Sequence, residues 1–404
     1  MIVTRVNLAN VRVFKVAEFH FQPGFNLIVG VNGVGKTTLL DALGVCLSKF
    51  VRASNGIQGR SKWFSDDDIR IGADALSIDS SVRIGDQHHR CFLHNPRKEI
   101  HGGPKKMKSF VAGIQIDVSG AERGGRPLAV LFSTKRAVSS RRAPSKRVAA
   151  GGMAAAFADA FANRELRLRE FGDWIRAQDV LRGENPAAAR MLAACEDAVT
   201  SFLPYYTNLR LTGKGQPQLC IDRGGTTIPV QQLSDGERGS LALVLDLTRR
   251  LAQANPELTA PASQAEAVVL IDEIELHLHP KWQRRIVHNL TAAFPRCQFI
   301  ATTHSPQVIG EVQHDRIQII ANGEVYSPTH SFGVDSSRVL EEIMSASPRT
   351  EEVDQLLLEI SQRVGKQRYQ SARELLVQLI DRLGENDPEV TRIQTLLELM
   401  EGDE

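Results

Sequence analysis

Gly30-Val31-Asn32-Gly33-Val34-Gly35-Lys36-Thr37 is the stretch that decides the fold. It follows a short apolar run, Phe25-Asn26-Leu27-Ile28-Val29, and precedes a segment whose Leu39, Leu40, Leu43 and Leu47 fall on one helical stripe. A glycine-rich turn between a buried strand and a helix start suits phosphate. Glycine permits the dihedrals that turn successive backbone N–H groups inward, and the helix N-terminus adds free donors and a favourable dipole. The spacing Gly-x-x-x-x-Gly-Lys-Ser/Thr then supplies one cation and one hydroxyl. Lys36 is placed to neutralise β- and γ-phosphate charge and Thr37 to ligate Mg²⁺, while Asn32, Gly33, Gly35 and Thr38 complete the turn. The stretch predicts a site for ATP and Mg²⁺.

A second feature fits the same chemistry. Val268-Val269-Leu270-Ile271-Asp272-Glu273 is an apolar strand ending in two acids. A strand buried by its aliphatics ends rigidly at the carboxyl edge of the sheet, where α/β proteins bind ligands. Neighbouring residues on a strand point to opposite faces, so the two carboxylates can take different work. Asp272 is expected to hold the Mg²⁺ shell and Glu273 to accept a proton from the attacking water, which makes it the candidate general base.

Leu233-Ser234-Asp235-Gly236-Glu237-Arg238-Gly239 precedes an apolar helix. Ser234 and Glu237 have capping-box spacing, and Gly236 clears room at a helix N-terminus that could receive phosphate. Together with the P-loop, this stretch resembles the ABC signature in its SMC/RecF-like form. Asp272-Glu273-Ile274-Glu275-Leu276-His277-Leu278-His279-Pro280 resembles the D-E-x-E-x-H-L-H-P segment of the overcome-lysogenization-defect, AAA_21-type and Septu/retron-associated ATPases. Phe299-Ile300-Ala301-Thr302-Thr303-His304-Ser305-Pro306 resembles their switch strand, and Phe332-Gly333-Val334-Asp335 begins a stretch similar to their post-core segment.

The resemblance implies an α/β fold: an ABC-type P-loop ATPase head with an antiparallel β lobe, a short helical insertion and a C-terminal helical segment. It implies His304 as γ-phosphate sensor. It also implies a head-to-tail homodimer, in which Ser234 and Gly236 of one copy complete the ATP site of the other. Between the P-loop and the signature (38–233) the helical insertion is confined to 153–201, too little for a long SMC coiled coil. The lobe glutamine of the family is not evident. Asp68, in Asp66-Asp67-Asp68-Ile69-Arg70, is either its counterpart or part of an exposed acidic turn.

The pattern divides the 404 residues into the first part of the head with P-loop and lobe (1–134), a basic linker and helical insertion (135–204), the second part of the head (205–331) and a helical region (332–404). Within the first part, residues 76–84, 88–94, 111–118 and 128–132 read as strands of the antiparallel lobe. Composition is that of an ordinary globular protein, 42% hydrophobic and 24% charged, with no apolar run long enough to cross a membrane. The five cysteines form no CxxC pair or metal-ligand cluster and read as buried small hydrophobes. These features, with an N-terminus that runs directly into strand sequence, predict a cytoplasmic protein.

Net charge is only +2, but residues 97–108 and 135–147 concentrate positive charge, the latter with no acid. They admit DNA or RNA as a partner, or are solvated loops. Two functional readings follow from the resemblance: the sensor or scaffold of an anti-phage defence system with a separate effector such as an HNH nuclease, or a RecF-like repair and recombination ATPase. A transporter motor is disfavoured by the signature form. A nuclease within the chain is disfavoured because no Asp-x-Asp pair follows His304.

Overall fold

The computed structural model describes residues 1–57, 63–97, 110–112, 126–137, 152–166, 168–213 and 218–402. They form two units, residues 1–334 and 335–404. The basic stretches fall almost entirely outside the described residues, apart from Arg97, Lys135 and Arg136, and so does the strand expected at 111–118 beyond Val111 and Ala112.

The described residues of the first unit form three sheets. In chain order the strands are β1 (Ile2–Val11), β2 (Phe14–His20), β3 (Phe25–Val29), β4 (Ala75–Ile84), β5 (Gln87–Pro96), β6 (Phe110–Ala112), β7 (Leu128–Phe132), β8 (Tyr206–Thr212), β9 (Gln218–Arg223), β10 (Thr226–Pro229), β11 (Ala267–Ile271), β12 (Gln298–Thr303), β13 (Ile317–Ala321) and β14 (Glu324–Tyr326). The central sheet runs β14-β13-β3-β12-β11-β7, parallel except for β14. The antiparallel lobe runs β2-β1-β4-β5-β6, and β8, β9 and β10 form a small antiparallel sheet.

Strand β4 alternates buried and half-buried residues, as a sheet with one covered face requires. Strands β3, β7, β11 and β12 are buried at every position, the mark of parallel strands covered on both faces. This corrects the expectation for residues 128–132. They leave the antiparallel lobe and lie parallel to β11, with Leu131 opposite Leu270 and Phe132 opposite Ile271. Leu128-Ala129-Val130-Leu131-Phe132 has no polar alternation, so its natural place is inside the central sheet.

The helix Lys36–Asn55 lies between the lobe and the central sheet. Leu39, Leu40, Leu43 and Leu47 pack in one core with Leu8, Phe19 and Ile78 of the lobe and Ile28, Leu131 and Leu270 of the sheet. Each such leucine contributes about 1.5–3 kcal/mol by burial. The result fixes the P-loop helix from two sides. All five cysteines are buried, and no described helix is long and apolar enough to cross a membrane.

Helix Asp235–Ala254 is almost wholly buried and packs against Gly152–Phe157 and Pro186–Phe202. Its Asp246 is fully buried and accepts from Arg164 Nη2 (2.5 Å), Arg249 Nη2 (2.7 Å) and Arg250 Nε (2.8 Å). Arg250 also donates to the Ala156 carbonyl at 2.6 Å, which ties the segment before Arg164 to the helix. In the second unit, helices Glu351–Gly365, Tyr369–Leu383 and Pro388–Gly402 close around Val353, Ile360, Leu376, Leu379, Val390 and Leu397.

Candidate nucleotide site

Strands β3, β12 and β11 are neighbours in the central sheet, so their carboxyl ends bring three motifs to one edge. After β3, Lys36 folds back over its own loop and Nζ donates to the carbonyls of Gly30 (2.7 Å) and Val31 (3.0 Å). Thr37 Oγ1 donates to Asp272 Oδ2 at 3.0 Å, which joins the P-loop directly to the end of β11. Asp272 Oδ1 accepts from Thr302 Oγ1 at 2.7 Å, so β12 contributes as well.

The loop glycines answer to packing as well as phosphate. A Cβ on Gly35 (φ 112°) would meet the Phe14 ring at 2.6 Å, and one on Gly30 would meet the Ile320 carbonyl oxygen at 2.6 Å. Gly33 (φ 84°) and Asn32 face open space. Thr38 points the other way, into a small cavity shared with Arg12, Asp41 and Asp68. There Arg12 bonds to both carboxylates, at 3.0 Å to Asp41 and 2.9 Å to Asp68, while Asp68 also accepts from the Ser65 amide. Asp68 is therefore a paired, half-buried acid whose carboxyl is held below its usual range: burial pushes it up, but the Ser65 and Arg12 bonds outweigh that.

Glu273 adopts a left-handed backbone, φ 47°, a conformation that costs a non-glycine residue about 1 kcal/mol or more. Three hydrogen bonds, made by two side chains, hold the turn there. The Glu273 amide donates to Thr302 Oγ1 (2.8 Å), its carbonyl accepts from Arg136 Nη2 (2.6 Å), and Arg136 Nη1 takes the Asp272 carbonyl (2.5 Å). The turn is clamped from both faces. Burial pushes the Arg136 guanidinium down to about 10, against the pull of Asp272, Glu275 and Glu273, and it stays charged at neutral pH.

His304 follows β12. Its amide donates to Glu275 Oε1 at 2.5 Å, and Thr303 Oγ1 donates to Glu275 Oε2 at 2.8 Å, so Glu275 anchors the switch segment. Burial, and then the Lys36 charge, lower the His304 pKa, which leaves a neutral imidazole near pH 7. Burial likewise lowers Lys36, opposed by Asp272, Glu273 and Glu275. Arg136, Thr302 and Glu275 were not among the expected site residues. Arg136 was hidden in a basic run, whereas Thr302-Thr303 ending an apolar strand was a visible signal.

Ser234 and Gly236 lie elsewhere. They line a cleft of about 500 Å³ with His277, His279, Lys281 and Trp282, and none of its lining residues belongs to the P-loop. Ser234 forms the capping box: its Oγ accepts from the Glu237 amide, and its own amide donates to Glu237 Oε2 at 2.9 Å. Tyr206 holds the other Glu237 oxygen at 2.6 Å. Gly236 is required by the same chain, because a Cβ there would lie 2.5 Å from the His277 carbonyl oxygen.

Residues 163–310 match the family described as "AAA domain, putative AbiEii toxin, Type IV TA system", and residues 5–116 match one described as "AAA domain". The first segment holds Ser234, Asp272, Glu273 and His304, and the second holds the P-loop. "Retron Ec83 probable ATPase" of Escherichia coli is 38% identical over 216 residues, 52% of this chain but only 38% of that protein. "Retron Vc95 probable ATPase" of Vibrio cholerae serotype O1 biovar El Tor is 25% identical over 408 residues, covering 83% of this chain and 78% of that one. The chain is similar to these retron ATPases. It is also similar to "Septu protein PtuA" of Bacillus thuringiensis, at 22% identity over 76% of this chain and 73% of that protein.

Proposed function

We propose that the chain binds and hydrolyses ATP between two head-to-tail copies, and that it serves as sensor or scaffold of an anti-phage defence system with a separate effector nuclease. The observation that carries the ATPase reading is the contact of Thr37 with Asp272 beside the clamped turn of Glu273. Thr37 Oγ1 and Asp272 are hard oxygen donors and suit Mg²⁺, which when bound would neutralise phosphate charge. Lys36 would turn from its own loop carbonyls to the phosphates. Glu273 is aimed by Thr302 and Arg136 to take a proton from water, and neutral His304 can hydrogen-bond a γ-phosphate oxygen.

Ser234 and Gly236 line a cleft that holds no P-loop residue of their own chain, which supports their completing the site of a second copy. The match to retron and Septu relatives over most of the chain supports the defence reading over the repair reading. Light scattering tests the assembly: ATP should dimerise Glu273→Gln protein, and Ser234→Arg should block this. An oligomer indifferent to ATP and to Ser234→Arg would sink the head-to-tail arrangement.

A further inference from the structure

On the face formed by the start of helix Pro280–Ala293, the end of β9 and the chain entering β8, a groove of about 490 Å³ is lined by Tyr205, Arg223, Lys281, Trp282, Arg284 and Arg285, with no acid among its lining residues. Lys281, Arg284 and Arg285 share one side of the helix and are exposed, and the first turn holds no acid to offset them. None of the three forms an ion pair among the described residues; Arg285 donates only to the Tyr205 hydroxyl, at 3.4 Å. Arg223 is partly engaged, 3.7 Å from Glu237, and its guanidinium lies over the Tyr206 ring. Tyr205 itself is 63% exposed, a large aromatic face left in water beside Trp282.

We propose that this groove binds single-stranded nucleic acid, with the backbone along Arg284, Arg285 and Lys281 and bases stacked on Tyr205 and Trp282. Cations alone would suit any polyanion. Cations interleaved with one exposed ring, Tyr205, and one half-buried ring, Trp282, suit a strand whose bases are unstacked, because every base has a π-face and a duplex presents none on its side. Recognition here is sequence-tolerant, since stacking reads no base edge and the one amide in the lining, Asn289, is buried. The proposal does not rest on the ATPase reading, and Tyr205, Arg284 and Arg285 lie outside the nucleotide machinery.

The test uses the full chain with fluorescent thymidine 20-mers, uridine 20-mers and a 20-base-pair duplex at two salt concentrations. Single strands should bind more tightly than the duplex. Tyr205→Ala should weaken them by about fivefold or more. The Arg284→Ala/Arg285→Ala pair should weaken binding and reduce the salt slope by about 1.4, while ATP turnover stays at the wild-type level. As a check free of variants, a 5-iodouracil oligonucleotide irradiated with wild-type protein should crosslink to peptides holding Tyr205 or Trp282. The DNA and RNA arms decide which strand is preferred. Duplex binding as tight as single-strand binding, variants without effect, or crosslinks confined to other segments would each overturn the proposal. So would an acidic peptide occupying the groove when oligonucleotides do not, which would make it a protein-docking surface.

Discussion

Replacing Asp246 with asparagine removes the carboxylate that Arg164, Arg249 and Arg250 share, in a place where Asp246 and Arg250 are both fully buried. Three charge-assisted bonds of about 1.5–3 kcal/mol each are lost or weakened, and an asparagine amide would turn one N–H₂ toward a guanidinium. Relaxation and water entry return part of this, so the expected loss is about 3–5 kcal/mol, as for other broken buried pairs. Arg250→Met should cost less, because it leaves Asp246 with two cations rather than leaving three cations with nothing. Urea unfolding followed by tryptophan fluorescence is the assay. Trp174 packs edge-on to Phe171, over which Arg249 lies, and so reports on this region.

The pH dependence has a definite sign. Burial pushes the Asp246 carboxyl up, but Arg250, Arg164 and Arg249 overcome this and hold it far below the usual range. Its contribution is complete above the unfolded value of about 3.9 and is lost as pH falls below that. The stability gap between wild type and Asp246→Asn should therefore narrow below about pH 4 and stay constant above about pH 5. A loss under about 1 kcal/mol at pH 7, or Arg250→Met costing as much as Asp246→Asn, would refute the reasoning.

Thr302→Val keeps shape but leaves the Glu273 amide and Asp272 Oδ1 each short of a partner, at about 1–3 kcal/mol apiece. ATP turnover should fall at least about tenfold, with Thr302→Ser retaining most of it in a phosphate-release assay. Gly236→Ala should lower the melting temperature by overpacking against the His277 carbonyl, about 1–3 kcal/mol. Gly239→Ala, whose Cβ meets nothing within 4 Å, should be neutral or slightly stabilising in the same melt.

The parts legible in the sequence are those where local pattern and chemistry coincide. Lys36, Thr37 and Asp272 sit in motifs whose strand-loop-helix or strand-end context is itself readable, and the helices at 235–254, 280–293 and 351–402 follow apolar periodicity. Strand β7 was misassigned because neighbouring position in the chain was taken for neighbouring position in a sheet, and parallel pairing is set by contacts far away in sequence. Arg136 was missed for a related reason. Its composition is that of a surface run, and only the crossing of β7 beside β11 turns it inward onto the Asp272 and Glu273 carbonyls. Gly236 shows the reverse. It was read for what it leaves open to a ligand, while the structure adds a demand from its own chain.

Glu273 is proposed as the base with which this edge of the sheet hydrolyses ATP. The direct measurement is single-turnover hydrolysis alongside equilibrium ATP binding for wild type, Glu273→Gln and Lys36→Ala. Glu273→Gln should bind ATP with wild-type affinity and lose roughly 10²–10⁴-fold in hydrolysis, while Lys36→Ala should lose binding itself. Undiminished hydrolysis by Glu273→Gln, with binding intact, would contradict the role of Glu273 as base.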